Sequence, residues 1–133
     1  LGNGPLKEQL QNHDDIKVID FVQPEEFENI IKQSGCLLLP SIKEPWALVL
    51  HEFSAAGLPI IASNVCGSIP YFLINGYNGF VFENKNFNDL KQKMEKIIQL
   101  SDSELFSMGV NSYRLGQRIT PEIVAFNSLS VVN

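Results

Sequence analysis

The chain has 133 residues, enough for one domain with a buried core, and its 44% hydrophobic and 19% charged content is typical of globular domains. Its formal net charge of −5 argues against nonspecific binding to nucleic acids or anionic membranes. No apolar run is long enough to span a membrane, and no signal segment is recognisable. Cys36 and Cys66 are isolated from each other and lack metal-ligand spacing, which predicts free thiols and a cytoplasmic location.

Helix and strand patterns alternate along the first forty residues. Pro5 opens a predicted short amphipathic helix over residues 5–13, and the β-branched run at residues 16–21 predicts a strand. A second helix is predicted over residues 24–35, because acidic residues occupy its first turn and a glycine ends it. The uninterrupted apolar run at residues 36–40 predicts a strand that is buried on both faces.

The alternation continues through the rest of the chain. A helix is predicted to begin near Trp46 and to end before Gly57, followed by a buried strand over residues 59–63. A turn at residues 75–79 precedes a short strand at residues 80–82. Three further helices are predicted behind the N-caps Asn86, Ser101 and Thr120, over residues 86–100, 101–116 and 120–129. This pattern predicts a Rossmann-like α/β fold, a parallel sheet with helices on both faces.

Two carboxylates, Glu44 and Glu52, bracket an apolar run at the predicted carboxyl edge of this sheet, where ligands of such folds bind. The helix between them offers free N–H groups and a positive dipole end, which attract phosphates. Glu52 lies inside the helix, about 8 Å along its axis if the helix begins near residue 46, and its side chain leans back toward the helix start. The spacing therefore fits a sugar, a diphosphate and a ribose in a row. A chance pair of acids, one of them a simple dipole partner, is the alternative.

The segments around these acids resemble the retaining glycosyltransferases of group 1, also called family 4. They read LLLPS before Glu44, PWALVLHE up to Glu52, and FSAAGLPIIAS after it. GNGP near the start, residues 21–41 and LINGYNGFVF at residues 73–82 are also similar to family segments, so the resemblance covers essentially the whole chain. The family has two Rossmann-like domains in the GT-B arrangement. The resemblance implies that residues 1–133 are a partial C-terminal, nucleotide-sugar-binding domain, truncated at its N-terminus and without the N-terminal acceptor domain.

The resemblance also implies roles for individual residues. Glu44 would be the catalytic residue that hydrogen-bonds the donor sugar, and Glu52 would bind the two ribose hydroxyls of the nucleotide. The backbone N–H groups of Trp46, Ala47 and Leu48 would face the sugar and the diphosphate. The side chain of Trp46 itself has two interpretations, a core residue or a wall of the pocket.

Other positions carry weaker implications or depart from the family pattern. Val22 and Gln23 match the turn that lies near the nucleotide base. Ala47 replaces the usual glycine, which keeps the N–H but narrows the backbone freedom. Tyr71 stands near a position where an acid is common. His51 matches no family histidine and is interpreted as a helix-surface or packing residue, with a catalytic role as the less favoured alternative.

The implied activity is transfer of a sugar from a UDP-sugar or GDP-sugar to an acceptor with retention of configuration. It would use no cofactor and no metal, because catalysis comes from orienting the donor and stabilising the leaving diphosphate. The acceptor would be a glycan, a lipid-linked sugar or a small molecule, and no nucleic-acid partner is expected. The full-length enzyme would be cytoplasmic, with a peripheral position at a membrane as an option, and the fragment alone would be inactive.

Two alternatives stay open at this level. The chain would also fit a catalytically inactive nucleotide-binding or interaction module. A GT-B epimerase or phosphorylase is the other alternative, although a phosphorylase would need a lysine for a pyridoxal cofactor, and no lysine has that context.

Overall fold

A computed structural model describes residues 4–5 and 7–123. The chain divides into two compact units, Leu1–Gln33 and Ser34–Asn133. The first unit contains helix α1, Lys7–Gln11, and helix α2, Pro24–Lys32, which begins at the predicted residue, a proline that the first helical position accommodates. Among the side chains that the structure describes in this unit, none is buried.

The strand predicted at residues 16–21 is wrong. The structure has irregular backbone there, between α1 and α2. The β-branched residues of this run favour a pleated, half-buried surface, but that preference takes effect only beside a partner strand. The described residues of the first unit form helices and no strand, so the local preference is not realised.

The second unit is built on a three-stranded parallel sheet in the order β1–β2–β3. Strand β1 spans Leu37–Leu39, β2 spans Ile60–Ser63 and β3 spans Gly79–Phe82. All four residues of β2 are buried. Because successive side chains of a strand point to opposite faces, both faces of the sheet are covered at β2. The prediction that the first strand is buried on both faces is wrong, because Leu37 of β1 is buried while Leu38, on the other face, is exposed among the described residues. The predicted Rossmann-like α/β class is confirmed.

Four helices accompany the described strands of the second unit. They are α3, Leu48–Ala55; α4, Ile69–Phe72; α5, Phe87–Gln99; and α6, Asp102–Gly116. The predicted N-cap Asn86 accepts a hydrogen bond from the Asp89 N–H at 3.0 Å, and Ser101 forms a reciprocal capping box with Glu104. The short helix α4 was not predicted, and α3 begins at Leu48 and not near residue 46.

Helix α3 packs mainly against α6, and small residues allow the close approach. A Cβ added at Gly116 would lie 2.4 Å from the Ala55 nitrogen, so a larger residue there would push the two helices apart. The buried Ser54 hydroxyl donates to the Ser112 carbonyl at 2.7 Å. These contacts fix α3, which carries one of the two predicted site acids, on the body of the second unit.

The last predicted helix lies largely outside the described residues. Thr120 accepts a hydrogen bond from the Ile123 N–H at 3.4 Å, as its predicted N-cap role requires, and residues from 124 onward are not described. Across the part of the chain that is described, no helix combines the length and apolar character needed to cross a lipid bilayer.

Candidate functional site

The loop between β1 and α3 carries Glu44 and Trp46 and is attached to the loop that follows β2. Glu44 forms an isolated parallel bridge with Cys66, and its carbonyl accepts the Gly67 N–H at 3.0 Å. The Trp46 carbonyl accepts the Ser68 N–H at 2.9 Å. Parallel strands end at the same edge of a sheet, and these bonds join the two loops at the carboxyl edge of β1 and β2. The backbone around Glu44 is therefore fixed by a second segment of chain.

Gly67 makes this attachment possible. A Cβ at this position would lie 1.9 Å from the Pro45 carbonyl oxygen, a distance that no side chain could adopt without moving the backbone. The next residue adds a further bond, because the buried Ser68 hydroxyl donates to the Ala47 carbonyl at 3.1 Å. The two loops thus approach each other at backbone contact distance.

Ala47 precedes α3 in the left-handed conformation, with φ 68° and ψ 72°, and its side chain is buried. An L-residue with a Cβ is strained in this region, where glycine is not. The sequence comparison with the family anticipated this restriction at Ala47. The turn directs the chain from the Glu44 loop into the first turn of α3.

The Glu44 carboxylate stabilises that turn. Its Oε1 accepts the Ala47 N–H at 2.9 Å and the Trp46 N–H at 3.2 Å. Two of the three N–H groups that sequence analysis assigned to the ligand therefore donate to Glu44 in this structure. Glu44 makes no other side-chain hydrogen bond within the described part of the chain, which leaves acceptor capacity on its second oxygen.

The first turn of α3 presents backbone donors. The N–H groups of Leu48 and Val49 have no hydrogen-bond partner among the described residues. Helix N-termini carry partial positive charge and bind anions through such donors. Leu48 was one of the predicted contacts. Val49 was missed, because its availability depends on the helix starting two residues later than predicted.

Glu52 lies exposed on α3, about 6 Å along the axis from Leu48 and so somewhat nearer the helix start than predicted. Within the described residues its carboxylate makes no hydrogen bond and no ion pair. An exposed carboxylate with all its acceptor capacity free, one turn behind a helix N-terminus, suits a polyhydroxylated ligand.

Trp46 lies beside Tyr71, with ring centroids 5.3 Å apart and planes inclined by 49°. The Trp46 side chain is 45% exposed and that of Tyr71 is 49% exposed. Of the two interpretations of Trp46, the core residue is wrong. In the sequence, Tyr71 stands out only as a departure from the family, since α4, which brings it to Trp46, carries no clear sequence signal.

His51 has a packing role, as predicted. Its Nε2 lies 3.0 Å from the Gly116 carbonyl oxygen, and its ring stacks on Phe72 at a centroid distance of 4.5 Å. These contacts tie α3 to the end of α6 and to α4.

Both cysteines are free, as predicted. Burial raises the pKa of the Cys36 thiol to about 11. Burial also raises the pKa of the Cys66 thiol, and the neighbouring Glu44 charge raises it further. Both groups are therefore protonated at neutral pH and are poor nucleophiles.

Val22 and Gln23 belong to the first unit. Gln23 is the residue before α2, and its carbonyl accepts the N–H groups of Glu26 and Phe27 at 3.0 and 3.1 Å. Val22 is half-buried in the irregular segment that precedes it. Their assignment to the nucleotide base stays a prediction.

Comparison with known proteins identifies the family. Residues 5–112 match the family model described as glycosyl transferases group 1. The chain belongs to this family. A relative in Methanocaldococcus jannaschii, an uncharacterised glycosyltransferase, is 31% identical over 110 residues, which cover 78% of this chain and 30% of the relative.

Solved structures agree with the family and the fold. A sucrose-phosphate synthase from Thermosynechococcus elongatus superposes with a TM-score of 0.81 at 22% identity, covering 96% of this chain and 32% of that one. The pneumococcal O-GlcNAc transferase in complex with UDP and GlcNAc superposes with a TM-score of 0.74 at 26% identity, covering 95% and 26% respectively. The group 1 chain described here spans between about a quarter and a third of the length of these proteins.

Proposed function

We propose that this chain supplies the donor-binding part of a retaining, family 4 glycosyltransferase, which moves a sugar from a nucleotide-diphosphate sugar to an acceptor. The observation that carries the proposal is the N-terminus of α3. There, among the described residues, the N–H groups of Leu48 and Val49 have no partner and lie between Glu44, which is hydrogen-bonded, and the exposed Glu52, whose carboxylate has no partner. Membership of the group 1 family supports it, as does the similarity to a transferase that was solved with UDP and GlcNAc.

The three parts of the donor are assigned by their charge. The diphosphate is placed at the N–H groups of Leu48 and Val49, because an anion is attracted to the helix N-terminus and repelled by both carboxylates. The ribose hydroxyls are placed at Glu52, further along the helix. The sugar hydroxyls are placed at Glu44, whose second carboxylate oxygen accepts them while the first holds the turn.

The mechanism proposed for this site is electrostatic and positional. Donors fixed at the helix N-terminus stabilise the negative charge that develops on the leaving diphosphate, and they need no reorganisation as it develops. Glu44 orients the sugar ring for attack by the acceptor. No protein nucleophile, cofactor or metal is assigned. The acceptor is proposed to be a glycan, a lipid-linked sugar or a small molecule, used by a cytoplasmic enzyme.

Calorimetry with UDP and with GDP tests the nucleotide assignment. Glu52→Gln keeps the shape of the side chain but lowers its acceptor capacity, so nucleotide affinity is expected to fall by about 1 to 3 kcal/mol. Glu95→Gln is the matched control, since Glu95 is also an exposed helical glutamate and its ion pair with Lys91 is a weak one at 3.8 Å. Equal losses in both variants would contradict the assignment, and absence of any nucleotide binding would favour the interaction module.

Glu44→Gln tests the division of the ligand. Glutamine retains a carbonyl oxygen for the two N–H groups of the turn, so the loop is preserved. We expect the binding of a UDP-sugar to weaken more than the binding of UDP, because UDP carries no sugar. If Glu44→Gln weakens UDP binding as much as Glu52→Gln does, the two acids do not divide the ligand in this way.

A further inference from the structure

The exposed aromatic pair of Trp46 and Tyr71 has no role in the donor assignment above. About half of each side chain is accessible, yet the rings touch each other at a centroid distance of 5.3 Å. Tyr and Trp are enriched at interfaces, and contiguous exposed apolar surface marks interaction sites and ligand-binding grooves. The pair is therefore a candidate for a specific contact.

The backbone that carries both rings is rigidly held. Trp46 donates its N–H to Glu44 and accepts the Ser68 N–H, so both sides of its peptide are fixed. Tyr71 donates its N–H to the Ser68 carbonyl at 3.0 Å, and the next residue, Phe72, is buried and stacked on His51. Two rings on one anchored frame, with their planes inclined by 49°, are preorganised to contact a ring-shaped ligand, because little freedom is lost on binding.

The position of the Trp46–Tyr71 pair indicates which part of the ligand the two rings contact. Trp46 lies two residues after Glu44 and immediately before the left-handed turn, on the side assigned to the sugar. Glu52, assigned to the ribose, lies on the opposite side of the free N–H groups along α3. With the diphosphate at the helix N-terminus and the ribose at Glu52, a nucleotide base would be separated from Trp46 by both groups, so a base is the less favoured occupant.

We propose that Trp46 and Tyr71 form a stacking platform for a pyranose ring, an inference that rests on the proposed function. The C–H groups on one side of a pyranose carry partial positive charge and suit the negative face of an aromatic ring. The hydroxyls at the rim of the same ring then reach the Glu44 carboxylate. The ring belongs either to the donor sugar or to a saccharide acceptor, and both present the same chemistry.

Trp46 is the only tryptophan of the chain, so its fluorescence reports on this platform alone. The chain is titrated with UDP, UDP-GlcNAc, UDP-glucose and GDP-mannose, and then, once saturated with UDP, with methyl glycosides. A donor ring on the platform shifts the Trp46 emission with a nucleotide sugar beyond the change caused by the bare nucleotide. An acceptor ring shifts it only when the methyl glycoside is added.

Tyr71 variants test the stacking itself. Tyr71→Ala is expected to weaken binding of the active saccharide about five- to tenfold, the size of one aromatic contact, and Tyr71→Phe to restore it because the ring is kept. Tyr113→Ala is the matched control, since Tyr113 is a similarly exposed tyrosine, at 52%, on α6.

The outcomes separate this inference from the proposed function. If UDP binds but no saccharide changes the Trp46 emission, or if Tyr71→Ala binds saccharides as the unaltered chain does, the platform is wrong and the donor assignment stands. If neither UDP nor GDP binds, the donor assignment fails and the platform fails with it.

Discussion

Ala47 combines a buried side chain with a left-handed backbone, and this combination decides which residues the position can accept. The left-handed region costs an L-residue about 1 to 2 kcal/mol, and more when the side chain is branched at Cβ. The strain is offset by the bonds around it, two to the Glu44 carboxylate and one from Ser68. The conformation of one residue thus depends on groups from two loops.

Replacing Ala47 by valine is therefore expected to lower the free energy of unfolding by about 2 kcal/mol or more, because a branched side chain at this backbone is a steric outlier. Ala47→Gly is the control. It relieves the strain but loses a buried methyl group and adds chain entropy, so its stability is expected to stay within about 1 kcal/mol of the unaltered chain. Urea unfolding measures both, and a valine variant as stable as the glycine variant would show that the turn is not left-handed.

Cys36 predicts a pH dependence of stability. Burial raises its pKa from 9.0 to about 11 in the folded chain, so the unfolded chain loses this proton first as pH rises. The contribution of the protonated Cys36 thiol to the free energy of unfolding is fully present below pH 9. It is lost between about pH 9 and 11, by at most about 1.4 kcal/mol per pH unit. Unfolding in urea and reductant at pH 8, 9 and 10 measures the loss. In Cys36→Ala the free energy of unfolding should decline less steeply with pH. Parallel pH profiles for the variant and the unaltered chain would contradict the prediction.

Helices and strands were predicted best where the sequence signal is local. The caps at Asn86 and Ser101 depend on residues only three positions apart, and both helices start where predicted. The strand at residues 16–21 failed because a strand needs a partner that local residues do not specify. Helix α4 was missed because four residues with one proline give too little periodicity.

The cap of α6 can be tested directly. Ser101 accepts the Glu104 N–H and donates its own N–H to the Glu104 carboxylate at 2.8 Å. Ser101→Ala is expected to cost about 1 kcal/mol of stability, and Ser101→Gly only a few tenths. Thermal or urea unfolding of the two variants gives the comparison. If the alanine variant were as stable as the unaltered chain, the cap would not contribute to stability, and α6 would pack on α3 even when its first turn frays.

The alternation of elements predicted the α/β class correctly, whereas the roles that the family segments imply for Glu44 and Glu52 stay predictions. Spacing could not predict that Glu44 would bind the N–H groups of Trp46 and Ala47, because that geometry depends on the left-handed turn. Nor could it predict the contact with Tyr71, since the two rings meet only after β2 and α4 are in place. Features that depend on neighbouring residues could be predicted from the sequence, but contacts between distant segments could not.

The two units should differ in local stability. No described side chain of Leu1–Gln33 is buried, whereas β2 and parts of α3 and α6 are fully enclosed in the second unit. Amides of α1 and α2 are expected to exchange hydrogen much faster than those of β2 and α6, because protection follows burial and packing. Hydrogen exchange followed by mass spectrometry measures this. Comparable protection in α2 and α6 would contradict it.

The attachment of the Glu44 loop to the loop after β2 has a consequence for how the chain folds. Pairing of β1 with β2 already places Leu39 beside Ala62, so only short stretches of chain remain to be closed when Glu44 meets Cys66. The entropy of closing a loop rises with its length, by about 0.6 kcal/mol for each doubling. If Glu44 met Cys66 before the sheet had formed, the loop to be closed would include the entire connection between β1 and β2. The Glu44 loop is therefore expected to order after the sheet, and slowing the formation of β2 would delay this loop without altering a single one of its residues.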